Sequence, residues 1–164
     1  MRTGLPRRAV GALILLAAGC WLERRPAASP DAAQLALYTA IEEMLAEAAE
    51  AWNRGELEGF MDGYLQSPLT TYIGSSGLVV GFDSIRARFT GFFEPGAERG
   101  HLAFEALRVR RLGAEHALAT ARYILRRDEG VTSSGPFTLV LRRVEGKWKI
   151  IHDQTSSDPT PEEP

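Results

Sequence analysis

The sequence predicts an α+β domain in which three N-terminal helices pack on one face of a strongly curved antiparallel sheet. Three observations lead there. Up to residue 92, apolar side chains recur at steps of three and four, the spacing of helix faces. From residue 101 the period is two, in four long runs separated by turn signals. In the first of those runs Leu102, Phe104 and Ala106 alternate, and then Leu107 and Val109 take the opposite parity. Such a phase slip predicts a bulge and a bent strand.

The first helix begins at Ser29-Pro30-Asp31, a capping side chain followed by proline where a helix tolerates it. Tyr38, Ile41, Leu45, Ala48 and Trp52 form its apolar face, Glu42, Glu43, Glu47 and Glu50 its wet side, and Gly55 suits its C-cap. A short second helix carries Leu57, Phe60, Met61 and Tyr64. Pro68 and the turn Gly74-Ser75-Ser76-Gly77 flank a strand near 70–73, and residues 78–80 return antiparallel to it. Phe82, Ile85, Phe89 and Phe92 give the third helix, with Asp83 near its positive end. The long strands fall near 101–112, 115–127, 131–144 and 147–156, with turns at Gly113, at Asp128-Glu129-Gly130 and at Glu145-Gly146.

The N-terminus reads as an export signal. Arg2, Arg7 and Arg8 precede the apolar run from Ala9 to Gly19, and small residues lead up to Cys20. The run is too short to cross a bilayer as a stable helix. Leu16-Ala17-Ala18-Gly19-Cys20 resembles a bacterial lipobox, in which the thiol is lipidated and the chain is cut before it. Cys20 is the only cysteine, so no intramolecular disulfide is possible. Cleavage before it leaves 145 residues and takes the formal net charge from −2 to −5. A mildly acidic domain of that size is a poor nucleic-acid binder. The expected organisation is a signal peptide at 1–19, a lipid-anchored tether at 20–30, a folded domain at 31–157 and a loose tail at 158–164. The tether reaches at most about 35 Å from the envelope membrane.

Ala51-Trp52-Asn53-Arg54-Gly55-Glu56-Leu57, Gly81, Leu112-Gly113 before Ala117-Leu118-Ala119, and Gly146-Lys147-Trp148-Lys149-Ile150-Ile151-His152-Asp153-Gln154-Thr155-Ser156 occur in that order. In these residues the chain resembles the nuclear transport factor 2-like superfamily, whose fold is the cystatin-like cone, and within it the SnoaL-like branch. Gly146 to Ser156 is also similar to the association domain of calcium/calmodulin-dependent kinase II. The resemblance implies a deep pocket between the helices and the concave sheet face, and homodimers formed through the outer sheet face.

Strand parity gives the expected pocket residues. With Lys149 turned to water, Trp148, Ile150, His152 and Gln154 share the face toward the helices. Thr120, Arg122 and Ile124 form one set on an earlier strand. Arg122 lies among Ala and Tyr, and a buried cation there needs a carboxylate from the protein or a ligand. Its alternative is a solvated place on the outer sheet. The resemblance to the kinase association domain implies an arginine in the pocket at that position. Tyr64 and Tyr72 are candidates for the mouth, and Trp52 for core packing or for stacking on a ligand. His152 reads as a satisfied core histidine or as a general base. Asp153 is expected to face outward or to bond backbone.

Ketosteroid isomerases share the resembled fold and need an Asp base together with Tyr and protonated Asp donors. Between Asp62 and Asp83 the chain has no carboxylate, and the family's base position falls at or near Tyr72. For a SnoaL-type cyclase only Asp62 or Asp153 is available. His101, His116 and His152 lack metal-ligand spacing, and no cofactor is expected. Arg108, Arg110, Arg111, Arg126, Arg127, Arg142 and Arg143 read as solvated sheet surface or a dimer rim. The leading expectation is an exported, lipid-anchored, non-catalytic binder of a small organic ligand, held by Trp52, Tyr64, Tyr72, Arg122, His152 and Gln154. The alternatives are an isomerase, cyclase or lyase using His152 with Tyr64 or Tyr72, and a dimeric interaction module of the cell envelope.

Overall fold

The computed structural model describes residues 30–128 and 130–159. The expected signal peptide, Cys20 and most of the tether lie outside the described residues, as does the tail from 160. Helix α1 (Pro30–Arg54) buries Leu37, Ile41, Leu45, Ala48, Ala51 and Trp52. That stripe starts at Leu37 rather than Tyr38, whose hydroxyl instead donates to Glu42 one turn on. The helix stops at Arg54 because Gly55 takes φ +79°, a left-handed conformation that suits glycine. Asn53 ties the helix end to the sheet. Its side-chain amide donates to the Leu102 carbonyl at 3.0 Å, and its oxygen accepts from the Leu102 N–H at 2.7 Å.

Helix α2 (Leu57–Met61) turns Phe60 and Met61 inward. The hairpin β1 (Thr71–Gly74) and β2 (Gly77–Val80) comes next, and then α3 (Phe82–Thr90) with a 3-10 turn, Gly91–Phe93. The long strands are β3 (His101–Arg111), β4 (His116–Arg127), β5 (Gly130–Val144) and β6 (Lys147–Thr155). All six join one sheet in the order β2-β1-β6-β5-β4-β3.

The sheet is mixed rather than antiparallel. β1 runs parallel to β6, with Thr71 opposite His152 and Tyr72 opposite Asp153. The reason is connectivity. β1 and β6 come from opposite ends of the fold, so no tight hairpin dictates their direction. Two helices precede the sheet and the third follows its first hairpin.

The expected bulge in β3 is present. Register shifts between Glu105 and Arg108, and Ala106 takes φ 56°. A second shift opposes Leu141 to Ile150 but Val140 to His152, leaving Ile151 as the extra residue. Inside the curve, Ala117, Ala119 and Ala121 place only methyl groups on β4. Phe137, Leu139 and Leu141 of β5 with Trp148 and Ile150 of β6 supply the bulk. Pairing continues beyond β6. Ser156 N–H donates to the Pro136 carbonyl and Asp158 N–H to that of Ser134. Asp158, the first residue of the expected tail, is thus hydrogen-bonded to β5.

Candidate functional site

The helical layer and the inner sheet face do not close on each other. They leave a cavity of about 340 Å³. Trp52 of α1, Phe60 of α2 and Phe89 of α3 line one wall, and Phe104, Phe137 and Leu139 the other. The aromatic wall is one packed cluster, with ring centres 5.2 Å apart for Trp52–Phe60, 5.0 Å for Phe60–Phe89 and 5.6 Å for Tyr72–Phe89. Trp52 also donates its indole N–H to the Gly100 carbonyl at 3.1 Å, and its ring stands edge-on to Phe60 and Phe93. Exposed Ser75, Phe92 and Ser157 mark the opening.

Into this apolar space comes a carboxylate. Asp153 is 6 % exposed and lines the cavity. Its Oδ2 accepts from the Tyr64 hydroxyl at 2.6 Å and its Oδ1 from the Thr155 hydroxyl at 2.7 Å. Tyr64 is held in place by backbone. Leu65 N–H donates to the Ile150 carbonyl, and Ile150 N–H to that of Gly63, so the exit of α2 runs beside β6. Burial raises the Asp153 pKa above its ordinary value, against the opposing pull of the Tyr64 and Thr155 bonds. Burial and then the neighbouring Asp153 charge push the Tyr64 phenol well above its ordinary 10.0. Tyr64 is thus a standing hydrogen-bond donor. Asp153 is the group in the cavity that can hold or release a proton.

Further polar groups reach the cavity, Arg88 and Tyr123 among them. Arg88 of α3 donates to Ser76 Oγ at 2.7 Å and lies 5.2 Å from the centre of the Tyr72 ring. The Tyr123 hydroxyl is 3.0 Å from both Ser133 Oγ and Ser157 Oγ. A mostly apolar cavity with a few placed polar groups is the usual form of a small-molecule site. Among the described residues no cluster of His, Cys, Asp and Glu could hold a metal ion.

The sequence-derived candidates divide in two. Trp52, Tyr64 and Tyr72 line the cavity. Arg122, His152 and Gln154 do not, and the expectation that they face it is corrected. For His152 and Gln154 the cause is the bulge at Ile151. Beyond it parity inverts, so Asp153 and Thr155 pair with inward Leu139 and Phe137, while His152 and Gln154 pair with Val140 and Thr138. His152 meets the Thr71 hydroxyl at 2.7 Å through Nδ1 and does not line the cavity. An acid–base role at this cavity for His152 with Tyr72 falls with that placement.

Arg122 lies on β4 beside inward Ala121 and Tyr123, on the opposite face. Its carboxylate partner is Asp158, which also accepts from Ser134 Oγ at 2.5 Å. Asp62 is exposed near Lys149 and outside this cavity. Asp153, expected to face outward or to bond backbone, turns inward, and Arg88 was missed. The consecutive Ile150-Ile151 within an alternating strand is the same phase-slip signal that locates the β3 bulge. Arg88 sits one turn from buried Ile85 and next to Phe89, close to the apolar face of α3.

Comparison with known proteins agrees with this architecture. A nuclear transport factor 2-like protein of unknown function from Shewanella oneidensis is 28% identical, with a TM-score of 0.66 over 72% of this chain and 97% of that one. A cystatin-like protein of unknown function from Nostoc punctiforme is 17% identical, with a TM-score of 0.64 over 74% and 91%. A Thiobacillus denitrificans protein named for a calcium/calmodulin-dependent protein kinase type II association domain is 19% identical, with a TM-score of 0.62 over 72% and 94%. No curated protein matches the sequence. Residues 41–160 match the SnoaL-like domain, a span that takes in most of α1, the cavity and the whole sheet, and on it this chain belongs to the SnoaL-like domain family.

Proposed function

We propose that this protein binds a small, flat, largely apolar organic molecule whose polar group meets Asp153. The observation that carries the reading is the Asp153–Tyr64 pair set among aromatic rings in a 340 Å³ cavity. Tyr64 spends its one hydroxyl hydrogen on Asp153, and each Asp153 oxygen keeps acceptor capacity. An ionised Asp153 suits a ligand hydroxyl or N–H; a protonated one suits a carbonyl.

The raised Asp153 pKa favours a second reading, in which the bound molecule is isomerised or cyclised with Asp153 moving the proton. That role passes to Asp153 from the expected His152. Export and lipid attachment at Cys20 belong to the same proposal and rest on the leader sequence. A homodimer through the outer sheet face rests on the resemblance.

Calorimetric titration with 2-naphthol tests the binding reading, comparing the wild type with Asp153→Asn. A hydrogen bond to a charged group contributes about 1.5–3 kcal/mol, so the variant should bind about 10-fold or more weakly. Absence of saturable binding to the wild type, or equal affinity in both proteins, would sink the reading.

A further inference from the structure

We infer that Arg88 makes the cavity selective for an anionic ligand, holding a carboxylate beside the β1–β2 turn while the ligand's far end meets the Asp153–Tyr64 pair. The ligand class is then a small aromatic or alicyclic acid bearing a hydroxyl or carbonyl remote from its carboxylate. This rests on the binding reading above and deepens it.

Charge gives the cavity a direction. Arg88 and Asp153 are the only charged side chains that line it among the described residues, and they differ in sign. They are not an ion pair. The groups that act on Asp153 are Tyr64, Thr155 and His152, and Arg88 makes no ion pair among the described residues. Tyr72 is within reach of both: Arg88 lies 5.2 Å from its ring centre, and burial first and then the Asp153 charge raise its pKa while Arg88 lowers it. A carboxylate is repelled at the Asp153 end and attracted at the other.

Arg88 is also differently equipped from its neighbours. Arg86, two residues earlier on α3, is paired with Glu58 across the fold. Arg54, Arg122, Arg126 and Arg127 likewise have carboxylate partners. Arg88 has the Ser76 hydroxyl and the face of Tyr72. Those contacts fix the guanidinium plane without neutralising it. A guanidinium carries five N–H donors in a fork that matches a carboxylate, and Ser76 takes one of them. Half-buried Arg88 and exposed Ser75 both line the cavity, so this end is open to an entering ligand.

Calorimetry with a matched pair of probes tests this: 2-naphthol, and 6-hydroxy-2-naphthoate, which adds a carboxylate at the far end of the same ring system. The wild type should bind the naphthoate about 10-fold tighter than the naphthol. Arg88→Met should abolish that preference, so that the affinity ratio of the two probes falls to about 1, and Arg88→Lys should restore part of it. Thermal melting of each variant checks that it folds. If 2-naphthol binds but the naphthoate binds no tighter, or keeps its advantage in Arg88→Met, the role of Arg88 is overturned and the binding reading stands. If neither probe binds the wild type, both fall.

Discussion

Tyr64 and Asp153, 89 residues apart in sequence, share a 2.6 Å hydrogen bond at the cavity wall. The bond joins the exit of α2 to β6 and places a carboxylate among aromatic rings. Such a group is tolerated because both of its oxygens accept hydrogen bonds. The cavity's polar chemistry and part of the fold's stability therefore depend on the same two side chains.

Removing the donor exposes that dependence. In Tyr64→Phe the Asp153 carboxylate loses one of its two hydrogen bonds while staying buried. The expected loss is about 1–3 kcal/mol at neutral pH. Protonation relieves an underbonded carboxylate, so the loss should be smaller at pH 4. Urea unfolding of both proteins at the two pH values checks this; equal losses at both would show that Tyr64 acts only through packing.

Stability should also carry a pH signature of Asp153. Its folded pKa is raised above the ordinary 3.8, with burial as the main cause. Between the two values the folded state holds more proton than the unfolded state, so unfolding free energy falls as pH rises. The contribution is fully present below the unfolded value and is lost as pH climbs through the folded one. Asp153→Asn removes it. Glu56, Glu58 and Asp158 are shifted down and act in the opposite sense, but they are common to both proteins and cancel in the difference. The wild-type-minus-variant stability should decline with rising pH from about 3.8 and then level off. A flat difference would mean that Asp153 does not titrate above its ordinary range.

Most of the architecture was legible in the sequence because its signals are local. Helical spacing locates Ile41, Leu45, Ala48 and Trp52 on one face of α1, and Gly55 ends it. Alternation and glycine turns locate the four long strands within a residue or two. The parallel pairing of β1 with β6 was not legible, because nothing local to Tyr72 or Asp153 encodes which distant strand it meets. The site was half legible. Trp52 and Tyr72 lie on elements whose phase is unbroken, and Tyr64 lies just past the end of α2, where it bridges to Ile150. The inward turn of Asp153 needs the bulge at Ile151, and one extra residue exchanges the two faces of everything after it. Arg122 was left open between the pocket and the outer sheet for a related reason: alanine on its neighbours gives little contrast between faces, so parity had no anchor.

The N-terminal reading has its own test. If Cys20 is lipidated and is the first residue of the mature protein, mass spectrometry of membrane-extracted protein should find a diacylated or triacylated N-terminal cysteine. Cys20→Ser should abolish the modification and release the protein from the membrane fraction. An unmodified residue other than Cys20 at the mature N-terminus would remove the anchor.

The segment after β6 should be coupled to the rim of the cavity through Gly135. A Cβ built at Gly135 would lie 1.9 Å from the Ser156 carbonyl oxygen. Both partners are backbone, so no side-chain rotation relieves the clash. Gly135→Ala must displace either β5 or the 156–158 segment, at a cost of about 1–3 kcal/mol, the usual range for overpacking. Movement of the segment would also carry Ser157 away from Tyr123 and Asp158 away from Arg122. Asp158→Asn provides the comparison. The Arg122 and Asp158 side chains are 41% and 35% exposed, so their attraction is screened and the variant should lose less stability than Gly135→Ala. Hydrogen exchange at the N–H of Ser156 and Asp158 separates the two effects. Gly135→Ala should lose protection at both positions, because their bonds to Pro136 and Ser134 must shift. Asp158→Asn should keep protection at Ser156. Retained protection at both in Gly135→Ala, together with wild-type stability, would show that the absence of a side chain at position 135 is not what lets this segment close over the sheet.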